Sequence, residues 1–193
     1  MSVVSKNTEA VLRQFAERVV KAAKLNLGAT RTITYNDGKK KRRRQVSSGK
    51  LKDSIDYNLN TGVHLLMSFT MEDYGKFIDE GVSGTKYKVP GGSRFGFGAS
   101  ASKGEPTRLE SIKKWMKTKN IKARDLKTKS FVKQTDANID KAAFLISRSI
   151  KQKGIPKSEF FQAPFRMEFE KLPEEVLKAV AMDVDEFLRF TVR

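Results

Sequence analysis

The chain has 193 residues, no cysteine and a formal net charge of +17, with 38% hydrophobic and 32% charged residues. The absent thiols exclude disulfides, zinc–thiolate sites and cysteine nucleophiles together, and no window approaches the roughly 20 apolar residues of a membrane span. The length suits one α+β domain over 1–193, and the low apolar content points to a small core with long polar excursions.

The start, Met1 to Lys6, has no apolar run after its charge and does not read as a signal peptide. A first helix is predicted from Thr8 to Leu27, with Val11, Leu12, Phe15, Val19, Ala22 and Ala23 on one face. Asn7 or Thr8 is placed to cap it and Gly28 to stop it. Thr32 to Tyr35, the turn Asn36-Asp37-Gly38 and a returning strand predict a hairpin over about 30–47. The returning strand carries six consecutive cations, Lys39, Lys40, Lys41, Arg42, Arg43 and Arg44. Like charges there cannot pack inward, so the hairpin is expected to project into solvent or to order against a partner.

Ser47-Ser48-Gly49 breaks the chain before Leu51. Ser54 to Leu59 then alternates, with Ile55, Tyr57 and Leu59 on one side, and Asn60-Thr61-Gly62 turns it. Val63, Leu65, Met67, Phe69 and Met71 alternate with His64, Leu66, Ser68 and Thr70, the cleanest period of two in the chain. A short helix is expected from Glu72 to Glu80, with its acids at the positive end and Tyr74, Phe77 and Ile78 inward. Gly81 stops it.

The Gly/Lys-rich stretch over about 82–106 reads as a flexible loop, too long to be an ordinary connection. Thr107 and Glu110 make a capping box before the apolar face of Leu109, Ile112, Trp115 and Met116. A Lys-rich linker over about 117–134 leads to a helical region over about 135–193. Its first helix opens at Thr135, carries Ile139, Ala143, Ile146 and Ile150, and stops at Gly154-Ile155-Pro156. Its last opens at Leu172-Pro173, and Leu177, Val180, Val184, Phe187 and Leu188 form its stripe.

The fold class is therefore α+β. A small antiparallel sheet packs against a long N-terminal helix and further helices, with the basic hairpin and loop as extensions. Charge is segregated along it: residues 101–133 hold eleven Lys/Arg against three acids, and 168–186 hold seven acids against two lysines. Such a chain suits sequence-independent contact with duplex DNA or head-to-tail docking on its own copies.

Catalytic readings fail on geometry. His64 has no nucleophile or acid beside it. Gly96 to Ala101 lacks the strand before and helix within that a dinucleotide loop requires. The carboxylate pairs Glu72/Asp73 and Asp79/Glu80 sit at opposite ends of one short helix, so they do not converge on a metal. Helix-end electrostatics explains the first pair and a surface or subunit contact the second. No enzyme activity, cofactor or metal is expected.

Three segments remain: Ser48-Gly49-Lys50-Leu51-Lys52-Asp53-Ser54-Ile55, Tyr74-Gly75-Lys76-Phe77-Ile78-Asp79-Glu80-Gly81, and Phe160-Phe161-Gln162-Ala163-Pro164-Phe165. In this order, after a long amphipathic helix, the chain resembles the small tail-completion and head–tail joining proteins of tailed bacteriophages. The resemblance covers mainly 8–28, 47–82 and 139–170. It implies an α+β subunit of a ring at the head–tail junction of a virion, built in the host cytoplasm. It also implies partners among its own copies and the neck, connector and tail-tube proteins. Leu51, Ile55, Tyr74, Phe77, Ile78, Asp79, Glu80, Gly81, Phe160, Phe161, Pro164 and Phe165 become candidate core and interface residues. The basic block, Lys39 to Arg44, becomes a candidate contact for DNA in a lumen or for a neighbouring subunit. The alternative is a nonspecific nucleic-acid-binding protein that uses the basic hairpin and Lys-rich segments.

Overall fold

A computed structural model of the chain describes residues 6–44, 49–61, 65–97, 108–125 and 127–191. His64, Thr107 and the glycine-loop residues Gly98 to Ala101 lie outside them. The order of elements is α1 (Lys6–Gly28), β1 (Thr30–Thr34), β2 (Lys40–Arg44), α2 (Lys50–Ser54), β3 (Asp56–Thr61), β4 (Leu65–Thr70), α3 (Gly75–Glu80), β5 (Val82–Ser83), α4 (Arg108–Thr118), α5 (Asp136–Lys153), β6 (Gly154–Ile155), α6 (Gln162–Phe169) and α7 (Leu172–Thr191). The protein is a mixed α+β fold with a long N-terminal helix and small two-stranded sheets, as its periodicities predict. Two compact units result: Met1–Ile33 with Lys41–Asp79 and Ser158–Arg193, and Thr34–Lys40 with Glu80–Lys157.

The first unit is built on α1, whose Phe15, Ala16, Val19, Ala23 and Leu27 recur every three or four residues and are buried. Burying such aliphatic or aromatic side chains stabilises by roughly 1.5–3 kcal/mol each. The described helix runs from Lys6, so Asn7 and Thr8, the expected caps, lie within its opening turn. Asp183 of α7 serves that turn, accepting from the Asn7 amide at 3.1 Å and the Thr8 amide at 3.0 Å. The Thr8 hydroxyl (2.7 Å) and the Asn7 side-chain amide (2.8 Å) donate to the same carboxylate. The first amides of a helix have no partner within it and sit at its positive end, so a buried carboxylate there is doubly favoured.

β3 and β4 pair antiparallel from Asp56↔Thr70 to Thr61↔Leu65. Ser54, expected in the strand, ends α2 instead. Its hydroxyl donates to Leu51 O and accepts the Glu72 amide, both at 3.0 Å, tying α2 to the end of β4. From β4, Phe69 meets Phe15 edge-on at 6.3 Å and Phe161 at 5.3 Å.

In the second unit, α4 and α5 share a core of Ile112, Met116 and Ala143 with Ile146 and Ile150 against it. Thr135 caps α5 by accepting the Asn138 amide. Trp115 stays exposed. The glycine-rich stretch is bonded in as far as Phe97. Thr85 N–H donates to Lys151 O and Lys86 N–H to Gln152 O, giving the last carbonyls of α5 the donors they lack within the helix. Ser83 N–H donates to Phe95 O and Phe97 N–H to Ser83 O. The Lys-rich segment after α4 also folds back on itself: Arg124 pairs with Phe131, and Ala123 is buried.

The basic hairpin differs from expectation at its turn, which does not project freely. The Asn36 side-chain amide donates to Lys153 O at 2.8 Å and Val82 O at 3.2 Å. Asp37 takes an ion pair from Lys153 at 3.0 Å, whose hydrogen bond holds the Asp37 carboxyl below its usual range. The cations follow on β2, and the side chains of Lys39, Lys40, Lys41 and Arg42 are exposed.

Candidate functional site

The three segments that carry the resemblance meet in one core of the first unit. Leu51 and Ile55, from the α2 segment, and Phe160 are buried together with Ala23 and Leu27 of α1. Ile78 and Phe161 pack against the same cluster. Pro164 is buried within α6. Phe165 lies edge-on to Phe15 at 5.8 Å and to Phe69 at 5.9 Å. Along α6 the rings of Phe161, Phe165 and Phe169 stack at 6.0 and 5.7 Å.

Asp79 joins two of the segments, and its role corrects the expectation of a surface contact. It is 4% exposed. Its carboxylate accepts the Phe161 amide at 2.8 Å and the Gln162 amide at 3.3 Å, capping the N-terminus of α6. Around it, Ser158 Oγ–H donates to Ile78 O at 2.7 Å, and the Glu159 amide donates to Asp79 O at 3.0 Å. A carboxylate at the end of α3 thus starts a helix 82 residues later. Such a charge-assisted bond contributes about 1.5–3 kcal/mol when formed.

The inward face of α3 is also redrawn. Gly75 and Asp79 are its buried positions, whereas Tyr74 is exposed and Phe77 is half-buried. A methyl group on Gly75 would come within 2.7 Å of Met71 Sδ and 2.8 Å of a Leu51 methyl, so the missing side chain lets α3 lie against α2. Glu72 and Asp73 precede α3 rather than opening it, and Glu72 takes an ion pair from Lys50 at 3.1 Å.

In the second unit, Gly81 has φ +74°, and a side chain there would meet the backbone of Lys157 and Ile155 below 3.0 Å. Only glycine meets both demands without strain. Glu80 does not share the role of Asp79: it pairs with Arg94 at 2.6 Å.

Helix α7 contradicts the simplest reading of its stripe. The positions turned inward are Ala179 and Asp183, with Leu172 and Val176 half-buried on the same side. Leu177, Val180, Val184, Phe187 and Leu188 are exposed, Leu177 at 71%. A helix advances about 100° per residue, which puts Leu177, Val184 and Leu188 roughly opposite Ala179 and Val180 on the flank between the two sides. The helix is apolar on two sides, and the small residue and the capping carboxylate won the contact with α1. Arg18 of α1 adds ion pairs to Glu168 and Glu175, both at 2.7 Å. Burial pushes the Glu168 carboxyl up, but hydrogen bonds from Arg18 and Lys171 outweigh it and hold it below the usual carboxylate range.

Sequence reasoning missed Asp183, Asp79 as a cap, and an apolar surface in the second unit where Phe131, Phe144 and Leu145 are exposed. The signal for Asp183 was present: Leu172, Val176, Ala179 and Asp183 keep helical spacing on the side away from the larger stripe.

No group of three or more His, Asp or Glu among the described residues is placed to hold a metal ion. No helix among them is long and apolar enough to cross a membrane. Comparison of the chain with known protein families, curated proteins and solved structures finds no match.

Proposed function

We propose that the chain is a non-enzymatic structural subunit of a tailed-bacteriophage virion, one copy of a ring at the head–tail junction. In this reading it completes or terminates the tail, or forms part of the neck, and joins the tail to the DNA-filled head. Its partners are its own copies and the neighbouring connector and tail-tube proteins.

One observation carries the reading. The segments that resemble the joining proteins share one core, while the C-terminal helix turns a whole apolar face outward. A ring subunit needs both: a rigid body that sets the repeat, and an uncovered face for the next copy. Large exposed apolar patches on a monomer mark interaction surfaces.

Labelling the chain in assembled particles and imaging them tests the proposal. The label is expected at the head–tail junction, and particles made without the chain are expected as separate heads and tails. A label found elsewhere, or normal joined particles without the chain, would overturn it.

The exposed cations Lys39 to Arg42 favour a second reading, nonspecific DNA binding. It predicts tight retention of duplex DNA by a solitary chain, falling steeply with salt, and no association with particles.

A further inference from the structure

The outward side of α7 has an order of its own. At about 100° per residue, Leu177, Ala181, Val184 and Leu188 fall within roughly 60° of one another and form a seam, and all four are exposed. Their spacing of four, three and four residues is that of a helix packed along another helix. The exposed Val180 and Phe187 run along one edge of the seam. Glu174, Lys178, Asp185 and Arg189 run along the other. Within α7 itself Lys178 pairs with Glu174 at 2.7 Å and Arg189 with Asp185 at 3.0 Å. The charged edge is therefore neutral and selects neither a cationic nor an acidic partner.

Both features complement themselves when the helix is reversed. The seam reads Leu, Ala, Val, Leu. Laid antiparallel on a second copy about its midpoint, Leu177 faces Leu188 and Ala181 faces Val184, so the small side chain makes room for the larger one. The charged edge reads acid, base, acid, base, and its reverse sets each charge beside its opposite while the pairs within each helix stay made. The two apolar edges then meet on the other side. Parallel copies would instead lay the charged edge of one along Val180 and Phe187 of the other. The exposed parts of Leu177, Val180, Val184, Phe187 and Leu188 make an apolar patch of roughly 500 Å², large for a monomer. Two copies together cover about 1,000 Å², the least that a specific interface needs.

We infer that the outward face of α7 pairs antiparallel with the same face of a second copy. Both copies use one surface, so the contact is isologous and closes at two copies; it is not the contact that builds a ring. Its biological use rests on the ring proposal: the pair keeps the apolar face covered in the free chain, and a ring neighbour takes the place of the second copy. The contact itself stands or falls on the purified chain alone. A pair in solution with an absent junction label would sink the ring and leave the pair, and a junction label on a chain that never pairs would do the reverse.

The chain has no cysteine, so one introduced thiol is unique. Leu177→Cys and Leu188→Cys are both at exposed sites and are expected to leave melting unchanged. In the antiparallel pair each thiol lies about 16 Å along the axis from its own counterpart, at 1.5 Å per residue, and beside that of the other variant. Mixed in equal amounts under mild oxidation, the two are expected to give the 177–188 disulfide several-fold in excess of either homodimer. Sedimentation of the parent chain is expected to show a dimer and nothing larger. Lys178→Glu with Arg189→Glu makes the charged edge wholly acidic and is expected to weaken pairing about fivefold or more, with melting little changed. Adding a chain with Glu174→Lys and Asp185→Lys is expected to restore it. Three outcomes would overturn the inference: the 188–188 or 177–177 homodimer dominates, assembly grows past two copies, or the chain stays single at high concentration. Protection of the thiol at position 188 by a connector or tail-tube protein, but not by a second copy, would assign the face to that protein and equally defeat it.

Discussion

Helices α1 and α7 are both long and amphipathic, yet they use their apolar faces in opposite ways. In α1 the face of Phe15, Val19, Ala23 and Leu27 is the wall of the core. In α7 the core contact falls to Ala179 and Asp183, and the face of Leu177, Val180, Val184 and Leu188 points to solvent. Periodicity says that a helix has a face to cover. It does not say whether the cover comes from the same chain.

The hardest test of that contrast is a charge on each face. Val19→Asp places an unpaired carboxylate at a position with no solvent exposure. A cost above about 4 kcal/mol is expected, enough to abolish a cooperative thermal transition in a domain of ordinary stability. A preserved transition would mean that α1 is not the wall of the core.

Asp79→Ala comes next. It removes the cap of α6 and leaves the Phe161 and Gln162 amides without that acceptor. A loss of about 1–3 kcal/mol by denaturant unfolding is expected. No loss would return Asp79 to the role of a surface or subunit contact.

The double variant Leu177→Ser with Val184→Ser sharpens the contrast from the other side. Its stability is expected to stay within about 0.5 kcal/mol of the parent, as at surface positions without special contacts. Sedimentation is expected to show weakened self-association. A large drop in melting temperature would mean that the outer stripe serves the fold of its own chain after all.

The smallest effect is acid sensitivity where α1 meets α6 and α7. The Glu168 carboxyl is held below its unfolded value, chiefly by Arg18 and Lys171 acting against burial. Its contribution is therefore complete above an unfolded pKa of about 4.3 and disappears as pH falls through the lower, folded value. Arg18→Gln is expected to flatten the decline of melting temperature with acid below about pH 4.3. An unchanged slope would show that the pair does not contribute.

What the sequence made legible follows the range of the interactions. The buried face of α1, the antiparallel pair β3–β4 and the cap at Thr135 depend on neighbours a few residues apart, and each is readable from spacing. The α2 segment is too short for a helical period to declare itself, so Ser54 reads as strand. The hydrogen bonds that define the candidate site reach much further. Asp79 finds its amides across 82 residues, Asn36 its carbonyl across 117, and Asp183 its helix end across 176. Two adjacent acids look like a wet surface until the amides they serve are known. The outer face of α7 is a different case. Its stripe is plain in the sequence, and only its direction was hidden, because a smaller residue and a carboxylate took the inner side.

The carboxylate of Asp183 sets a limit on how copies can combine. Trading α7 between neighbours, as domain-swapped oligomers do, would first strip the opening turn of α1 of four hydrogen bonds. The C-terminal helix is thus latched to its own chain just past its midpoint, and Arg18 holds its near end through Glu175. An element pinned at two points can meet a neighbour as a preformed rib, without the entropic cost of ordering a loose tail on arrival.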